Sequence, residues 1–322
     1  MKHRNLGKSG LRVSVTGLGC NNFGGRIDLE ASRKVVHKAL DLGITLLDVA
    51  DVYGGLGGGH LGASEECLGQ ILGGRRRDVV LATKFGIAMD KAERLQGASR
   101  RYIMSAVEAS LRRLKTDWID LYQVHRPDPL TPIEETLRAL DDLVRQGKVR
   151  YIGCSNYAAW QMVEAHWTAR HLGLNAFVSS QDEYSLVVRD AERELLPAVA
   201  ACGLGFLPYF PLASGLLTGK YQRNTTMPQG ARLTATQRLA DRYLTEENWQ
   251  KVERLEGFCA AHGRSLLELA VSWLLARPAV ASVIAGATRP EQLEQNVRAG
   301  DWALTAADLA EIDTLIGKAV VS

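Results

Sequence analysis

Eight short apolar runs, separated by segments of helical period, constrain the fold of this chain more than any other feature. They lie at "VTGLG" (15–19), "TLLDVA" (45–50), "VVLATK" (79–84), "WIDLYQVH" (118–125), "VRYIGCS" (149–155), "AFVSSQD" (176–182), "GFLPYF" (205–210) and "ASVIAGA" (281–287). Between them the apolar residues recur every three or four positions. Ile103, Val107, Leu111 and Leu114 share one helical face, and Ile133, Leu137, Leu140 and Val144 share another. Thr131-Pro132 followed by Glu134 and Glu135 opens a helix, and Gly147 closes it; Gly43, Gly173, Gly203 and Gly263 stand where helices end. Buried strands alternating with helices imply a parallel sheet covered by helices. Eight such units in 322 residues match a single (β/α)₈ barrel domain spanning residues 1–322. "HRNLGKSGLRVS" reads as a β-hairpin placed before it, turning at Lys8-Ser9-Gly10. A doubly wound sheet of the same elements satisfies the periodicity equally well. The longest stretch without a clear element runs from "PLASGLLTGKY" to a helix near Thr245, and loops of that length usually serve a function.

A glycine motif competes for the chemistry. Gly57, Gly59 and Gly62 in "VYGGLGGGHLG" form a literal G-x-G-x-x-G between a strand and a helix. The helix that follows opens Ser64-Glu65-Glu66, which suits a helix N-terminus but repels a phosphate brought to it. The acid that should end the second strand is represented by Asp78, which begins one. Residues 54–62 therefore read as a flexible loop over a barrel mouth and not as a Rossmann phosphate loop.

Composition narrows the classes. A net charge of +3, with no basic run beyond Arg75–Arg77, argues against a nucleic-acid partner. "LELAVSWLLARPAV" is interrupted by Glu268 and Arg277, so no membrane span is expected, and no signal peptide is read at the basic, glycine-broken start. Five scattered cysteines and seven histidines lack disulfide or metal-ligand spacing, as expected of a reduced, cytoplasmic, metal-free protein.

In a barrel, function gathers at the C-terminal ends of the strands. Those ends carry Asp48 with Tyr53 just beyond, Lys84, His125, Ser155-Asn156, Gln181, Tyr209 and Gly286-Ala287-Thr288. Singly, each has an ordinary structural role open to it; together they converge on one mouth. Carbonyl reduction needs such a set, because hydride delivery leaves charge on oxygen and requires a proton donor there. Tyr53 can donate, a Lys84 ammonium would lower its pKa, Asp48 would hold the lysine, and His125 would orient the carbonyl. A lysine with an acid and a histidine at a barrel mouth also suits Schiff-base aldolase chemistry.

The segments "LLDVADVYG", "VVLATKFG", "IDLYQVHRPD", "GKVRYIGCSN" and "PLASGLLTGKY" carry a resemblance to the aldo-keto reductases over essentially the whole chain. The resemblance implies an NAD(P)H-binding barrel that reduces small-molecule aldehydes and ketones, with Asp48, Tyr53, Lys84 and His125 as its catalytic tetrad. It further implies that Ser155, Asn156 and Gln181 hold the nicotinamide carboxamide and that Tyr209 stacks on the ring. Gly19, Cys20 and Asn21, and Phe210 with Pro211, Leu212, Ala213, Gly215 and Leu217, would complete the cofactor cleft. Lys220, Arg232, Gly286, Thr288, Arg289, Gln292, Gln295 and Asn296 fall at the adenosine end. Many relatives grip a 2′-phosphate with a Lys-Ser/Thr pair where this chain has Gly286-Ala287, and with an Arg where it has Gln292. Arg289 or Arg232 would replace that charge, so NADP(H) is preferred with NAD(H) possible. Where many relatives have a serine after the stacking aromatic, this chain has Phe210. The resemblance extends to potassium-channel β subunits, barrels that hold NADPH and dock on a membrane protein. Asn22, Phe23, residues 54–62, Met89–Gln96 and "RPDP" (126–129) would form the substrate pocket, with Phe23 also readable as core. A short tail after Ile316 suggests an open pocket accepting many carbonyls.

Overall fold

The structure, a computed structural model, describes residues 1–55 and 58–317. A two-stranded antiparallel hairpin, β1 (His3–Asn5) and β2 (Arg12–Ser14), precedes eight parallel strands. These are β3 (Thr16–Gly19), β4 (Leu46–Asp48), β5 (Val80–Phe85), β6 (Ile119–Val124), β7 (Val149–Ser155), β8 (Ser179–Glu183), β9 (Gly205–Tyr209) and β10 (Val283–Gly286). Six fall inside the apolar runs, and β5 and β8 extend one residue beyond theirs, to Phe85 and Glu183. Neighbours in sequence are neighbours in the sheet, and β10 returns to pair with β3. Between β9 and β10, Phe206 N donates to Ala279 O (2.8 Å) and Ala281 N donates to Phe206 O (3.0 Å), which joins the last two strands and closes the ring. The fold is a (β/α)₈ barrel, and the doubly wound alternative is excluded by that closure.

The outer layer follows the same punctuation. Helices α1 (Leu29–Asp41), α2 (Ala63–Leu72), α3 (Arg100–Leu114), α4 (Ile133–Arg145), α5 (Ala159–Leu172) and α6 (Leu195–Cys202) follow β3 to β8 in turn. Ile103, Val107, Leu111 and Leu114 of α3 are all buried against the strands, as their spacing predicts. The segment expected to be loop from Pro211 onward instead carries short 3₁₀ turns over Ala213–Thr218 and two short helices, α7 (Arg232–Ala235) and α8 (Gln237–Tyr243). They are too short to show a period in sequence. Leu233, Leu239 and Tyr243 pin them to the core. Then come α9 (Glu246–Ala261), capped by Thr245, α10 (Leu266–Leu275), α11 (Pro290–Arg298) and α12 (Ala306–Ile316).

Two apolar clusters divide the interior. One lies between strands and helices; the other fills the barrel itself, with Leu46, Ala82, Leu121, Leu207 and Ile284 packed on Leu6 and Val13 of the hairpin. The hairpin is thus a plug in the N-terminal end of the barrel. Lys8 N donates to Gly203 O (2.8 Å), and a Cβ at Gly7 would lie 2.4 Å from Gly205 N, so only glycine permits this approach. With that end stoppered, side chains entering the barrel further along each strand face the opposite mouth. Because side chains alternate in direction, Asp48, Lys84, Gln123, Gln181 and Tyr209 share the inward parity of Leu46, Ala82, Leu121, Ser179 and Leu207.

Candidate active site

The centre of the mouth is an ion pair built at the strand ends. Lys84 is wholly buried, and its Nζ donates to Asp48 Oδ1 (2.8 Å), Asp48 Oδ2 (2.7 Å) and Val49 O (3.0 Å). Gln181 Nε2 donates to Asp48 Oδ1 (2.9 Å). A buried carboxylate and ammonium are tolerable only when paired and hydrogen-bonded in this way. Burial pulls the Lys84 pKa down, but the Asp48 carboxylate and Tyr53 together outweigh it and hold the ammonium above its ordinary range.

Tyr53 stands on the loop after β4, partly open to the cleft, with the Lys84 ammonium 5.2 Å from its ring centre. Its phenol departs from the sequence expectation. Burial raises the pKa, Asp48 adds to the rise, and the charge and hydrogen-bonding capacity of Lys84 offset them only in part. The net direction is upward, not downward, because desolvation of the phenol, with Asp48 adding to it, outweighs the acidifying Lys84 ammonium. His125 lies edge-on to Tyr53, with ring centres 5.9 Å apart at 79°. Burial, then Lys84 and Arg126, push its pKa well below 6.5, so it is a neutral imidazole, and its Nδ1 has no partner among the described residues.

The next two strands form a polar wall. Ser155 Oγ donates to Gln181 O (2.7 Å), while Asn156, in the left-handed region at φ +60°, donates from Nδ2 to His125 O (2.9 Å) and to Ser155 Oγ (3.0 Å). Tyr209 Oη donates to Asn156 Oδ1 (2.7 Å). Ser155 and Gln181, expected to face a ligand, thus already bond within the protein, and Gln181 buttresses Asp48.

From Tyr209 the chain bends sharply. Phe210, Ala213 and Ser214 all take positive φ, which costs non-glycine residues about 1–2 kcal/mol each. Gly215 (φ +101°) leaves room for Lys220, whose Nζ would lie 2.9 Å from a Cβ there. Ala213 and Leu217 turn their side chains into the core and Cys20 is buried against Leu18 O, so these three offer only backbone to the cleft. Pro211 is buried and Leu212 half-buried. Gly286 and Gly19 are paired in register, and Gly19 pairs with Asp48 in turn, so the first and last strands approach the ion pair as bare backbone. Asn21 is half-buried beside them, its Oδ1 3.6 Å from where a Gly286 Cβ would stand.

The far end of the cleft is basic. Lys220 is shifted downward by partial burial, then by Arg26, Arg289 and Arg232; Arg232 is shifted likewise by burial and Arg26, and lies 5.2 Å over the Phe210 ring. None of these four cations is ion-paired among the described residues. Arg26 was not singled out in the sequence; a basic residue in the loop directly after the first barrel strand was the available signal. Thr288 N and Oγ1 both donate to Gln292 Oε1 (2.8 and 3.2 Å), Gln295 is exposed, and Asn296 is buried.

Around this cleft, several expectations resolve. Phe23 is fully buried and belongs to the core. Gly57 lies outside the described residues, as does the chain after Gly317. Gly59 and Gly62 are packed close, since a Cβ at Gly59 would lie 1.9 Å from Gly24 O and one at Gly62 2.7 Å from Arg113 Cδ. These glycines make room for neighbouring chain. Glu65 is buried, accepting from Thr83 Oγ1 (2.6 Å) and Arg113 Nε (2.7 Å). Asp51 is also buried, with neither carboxyl oxygen hydrogen-bonded among the described residues; burial and then Glu65 raise its pKa well above the carboxylate range.

A family model described as "Aldo/keto reductase family" matches residues 16–316. A probable voltage-gated potassium channel subunit beta from Oryza sativa subsp. japonica is 38% identical over 308 residues, covering 94% of this chain and 92% of that protein. The Arabidopsis thaliana protein of the same description is 37% identical over the same shares. An uncharacterized oxidoreductase, YrpG, of Bacillus subtilis (strain 168) is 38% identical over 311 residues, 94% of this chain and 92% of its own. Among the described residues no helix is long and apolar enough to cross a membrane.

Proposed function

The chain belongs to the aldo/keto reductase family, and on that premise we propose that it reduces aldehydes and ketones to alcohols with a nicotinamide dinucleotide, NADPH preferred over NADH. The observation that carries this reading is the buried Lys84 ammonium, held by both oxygens of Asp48 and set 5.2 Å from the Tyr53 ring. The bound cofactor would supply hydride to the carbonyl carbon. The residues fit such a group: four cations without carboxylate partners among the described residues suit its phosphates, and the Tyr209 ring, hydrogen-bonded through its hydroxyl to the Asn156 amide, suits its planar ring.

In this mechanism the carbonyl oxygen lies between Tyr53 and His125. Tyr53 stays protonated at neutral pH and gives its proton to the oxygen as charge develops there. The Lys84 ammonium stabilises the phenolate left behind, and Asp48 with Gln181 fixes the lysine against recoil. Neutral His125 donates one hydrogen bond that orients the carbonyl. The same lysine is unsuited to Schiff-base chemistry, which needs a free amine, because its partners favour the charged form. Exposed Leu61 and Leu95 on the loops after β4 and β5 give the rim an apolar character suited to hydrophobic carbonyl compounds.

A second reading is a cofactor-holding regulatory subunit, favoured by the names of the two plant relatives. One experiment separates the two. Steady-state oxidation of NADPH with a panel of aliphatic and aromatic aldehydes should show turnover that Tyr53→Phe reduces by about 10²–10⁴-fold. Cofactor affinity, followed by fluorescence, should be unchanged in that variant. Tight cofactor binding with no turnover of any carbonyl would replace the enzyme with the regulatory subunit.

A further inference from the structure

Helix α5 carries two tryptophans in the wrong place for a self-contained barrel. Trp160 and Trp167 are 66% and 60% exposed. Seven residues apart, they fall two turns along one stripe of the helix. An indole offers roughly 150–250 Å² for burial, so two in one stripe leave a large apolar area in water.

The charges on the stripe are ordered. Glu164, exposed between the tryptophans, has no ion-pair partner among the described residues. Arg170 and His171 are exposed in the last turn, with Arg170 5.5 Å from the Trp167 ring centre. Acid thus precedes base along one face. Such an order complements itself in only one arrangement, an antiparallel copy of the same helix. A two-fold axis beside Trp167 would set Glu164 against Arg170 and His171 of the second copy, and the reverse, while opposing the two helix dipoles favourably. The neighbouring α6 extends the patch. "LLPAVAAC" has no charged residue and exposes only Pro197, Ala200 and Ala201, leaving a smooth surface beside the end of α5 where the second copy's Trp160 would lie.

We propose that the α5 face is the interface of a two-fold dimer of this chain, centred on Trp167. One helix pair with its flanks is a small contact beside the roughly 1,200–2,000 Å² of standard stable interfaces, so the dimer is expected to be reversible and concentration-dependent. The face lies on the outer ring, its centre two turns along α5 from the rim, and none of its residues takes part in the chemistry at the mouth.

Sedimentation velocity of the full chain, from low micromolar to the highest soluble concentration, tests it. The expected result is a monomer that converts to a dimer and stops there. Trp167→Ser should raise the dissociation constant by about 30-fold or more, as for a central interface tryptophan. Glu164→Arg and Arg170→Glu should each weaken the dimer, and the two together should restore it. Unchanged thermal unfolding and NADPH binding would show that the variants remain folded. A chain monomeric throughout would overturn the proposal and leave the face to a different protein. So would an assembly indifferent to Trp167→Ser and to charge exchange, or one that grows without limit.

Discussion

The two ends of the cleft treat charge in opposite ways. At the strand ends, Lys84 and Asp48 are buried and satisfy each other, with Gln181 completing the set. At the far end, Arg26, Lys220, Arg232 and Arg289 crowd together with no carboxylate ion-paired to them among the described residues. Like charges gathered and left unpaired raise the energy of the empty protein and lower it when an anion arrives. The first region is complete in itself and suited to moving a proton. The second is complete only with a polyanionic ligand. Chemistry and affinity should therefore separate when each region is altered.

The largest effect expected is at Lys84. Lys84→Met leaves the Asp48 carboxylate buried and uncompensated, which should lower stability by about 3–5 kcal/mol as well as abolish measurable turnover. Asp48→Asn combined with Lys84→Met should recover most of the stability and none of the turnover, as read by denaturant unfolding and NADPH oxidation. Recovery of activity in the double variant would break the comparison, because the pair would then be structural only.

Arg232→Ala should do the reverse. Loss of one charge-assisted contact of about 1.5–3 kcal/mol predicts a roughly 10–100-fold weaker NADPH dissociation constant, a shallower salt dependence, and unchanged turnover at saturating cofactor. A smaller loss for NADH would assign the contact to the 2′-phosphate; a fall in turnover with affinity intact would contradict the division of labour.

A pH-dependent effect lies just behind the polar wall. Burial raises the Asp182 carboxyl to about 7, with Ser180 Oγ donating to it (2.6 Å). The folded chain keeps this proton where the unfolded chain, with an ordinary carboxylate near 4, has lost it. That contribution to stability is whole below about pH 4 and declines as pH rises through 7. Asp182→Asn should leave stability at pH 4 nearly unchanged and raise it at pH 7 relative to the parent. Equal unfolding midpoints at both pH values would show that the group titrates normally.

The barrel was legible because strand runs and helical stripes follow from local alternation, and the inward parity of Asp48, Lys84 and Tyr209 follows from the pleat. His125, placed one residue beyond β6, and Tyr53, on a loop, were reached by chemical role and by the resemblance. What sequence hid was partnership. That Gln181 donates to Asp48, that Ser155 bonds to backbone, or that Ala213 and Leu217 face the core depends on contacts between strands distant in the chain. Short helices such as α7 and α8 gave no period to read. The upward shift of Tyr53 was hidden because its largest cause, desolvation of the phenol, depends on packing that a count of neighbouring charges does not show. The acids at Glu65 and Glu66 already ruled out a phosphate loop at 54–62, but the close approach of Gly24 to Gly59, which explains the glycine, could not be read from sequence.

The claim on which the rest depends is that the Lys84 ammonium acts on the Tyr53 phenol. Difference absorbance titration of the free protein against Tyr53→Phe isolates that phenol directly. It should ionise above its ordinary pKa of about 10, and in Lys84→Met it should move higher still, since only the lowering influence has been removed. A Tyr53 titration unmoved or lowered by Lys84→Met would contradict the account.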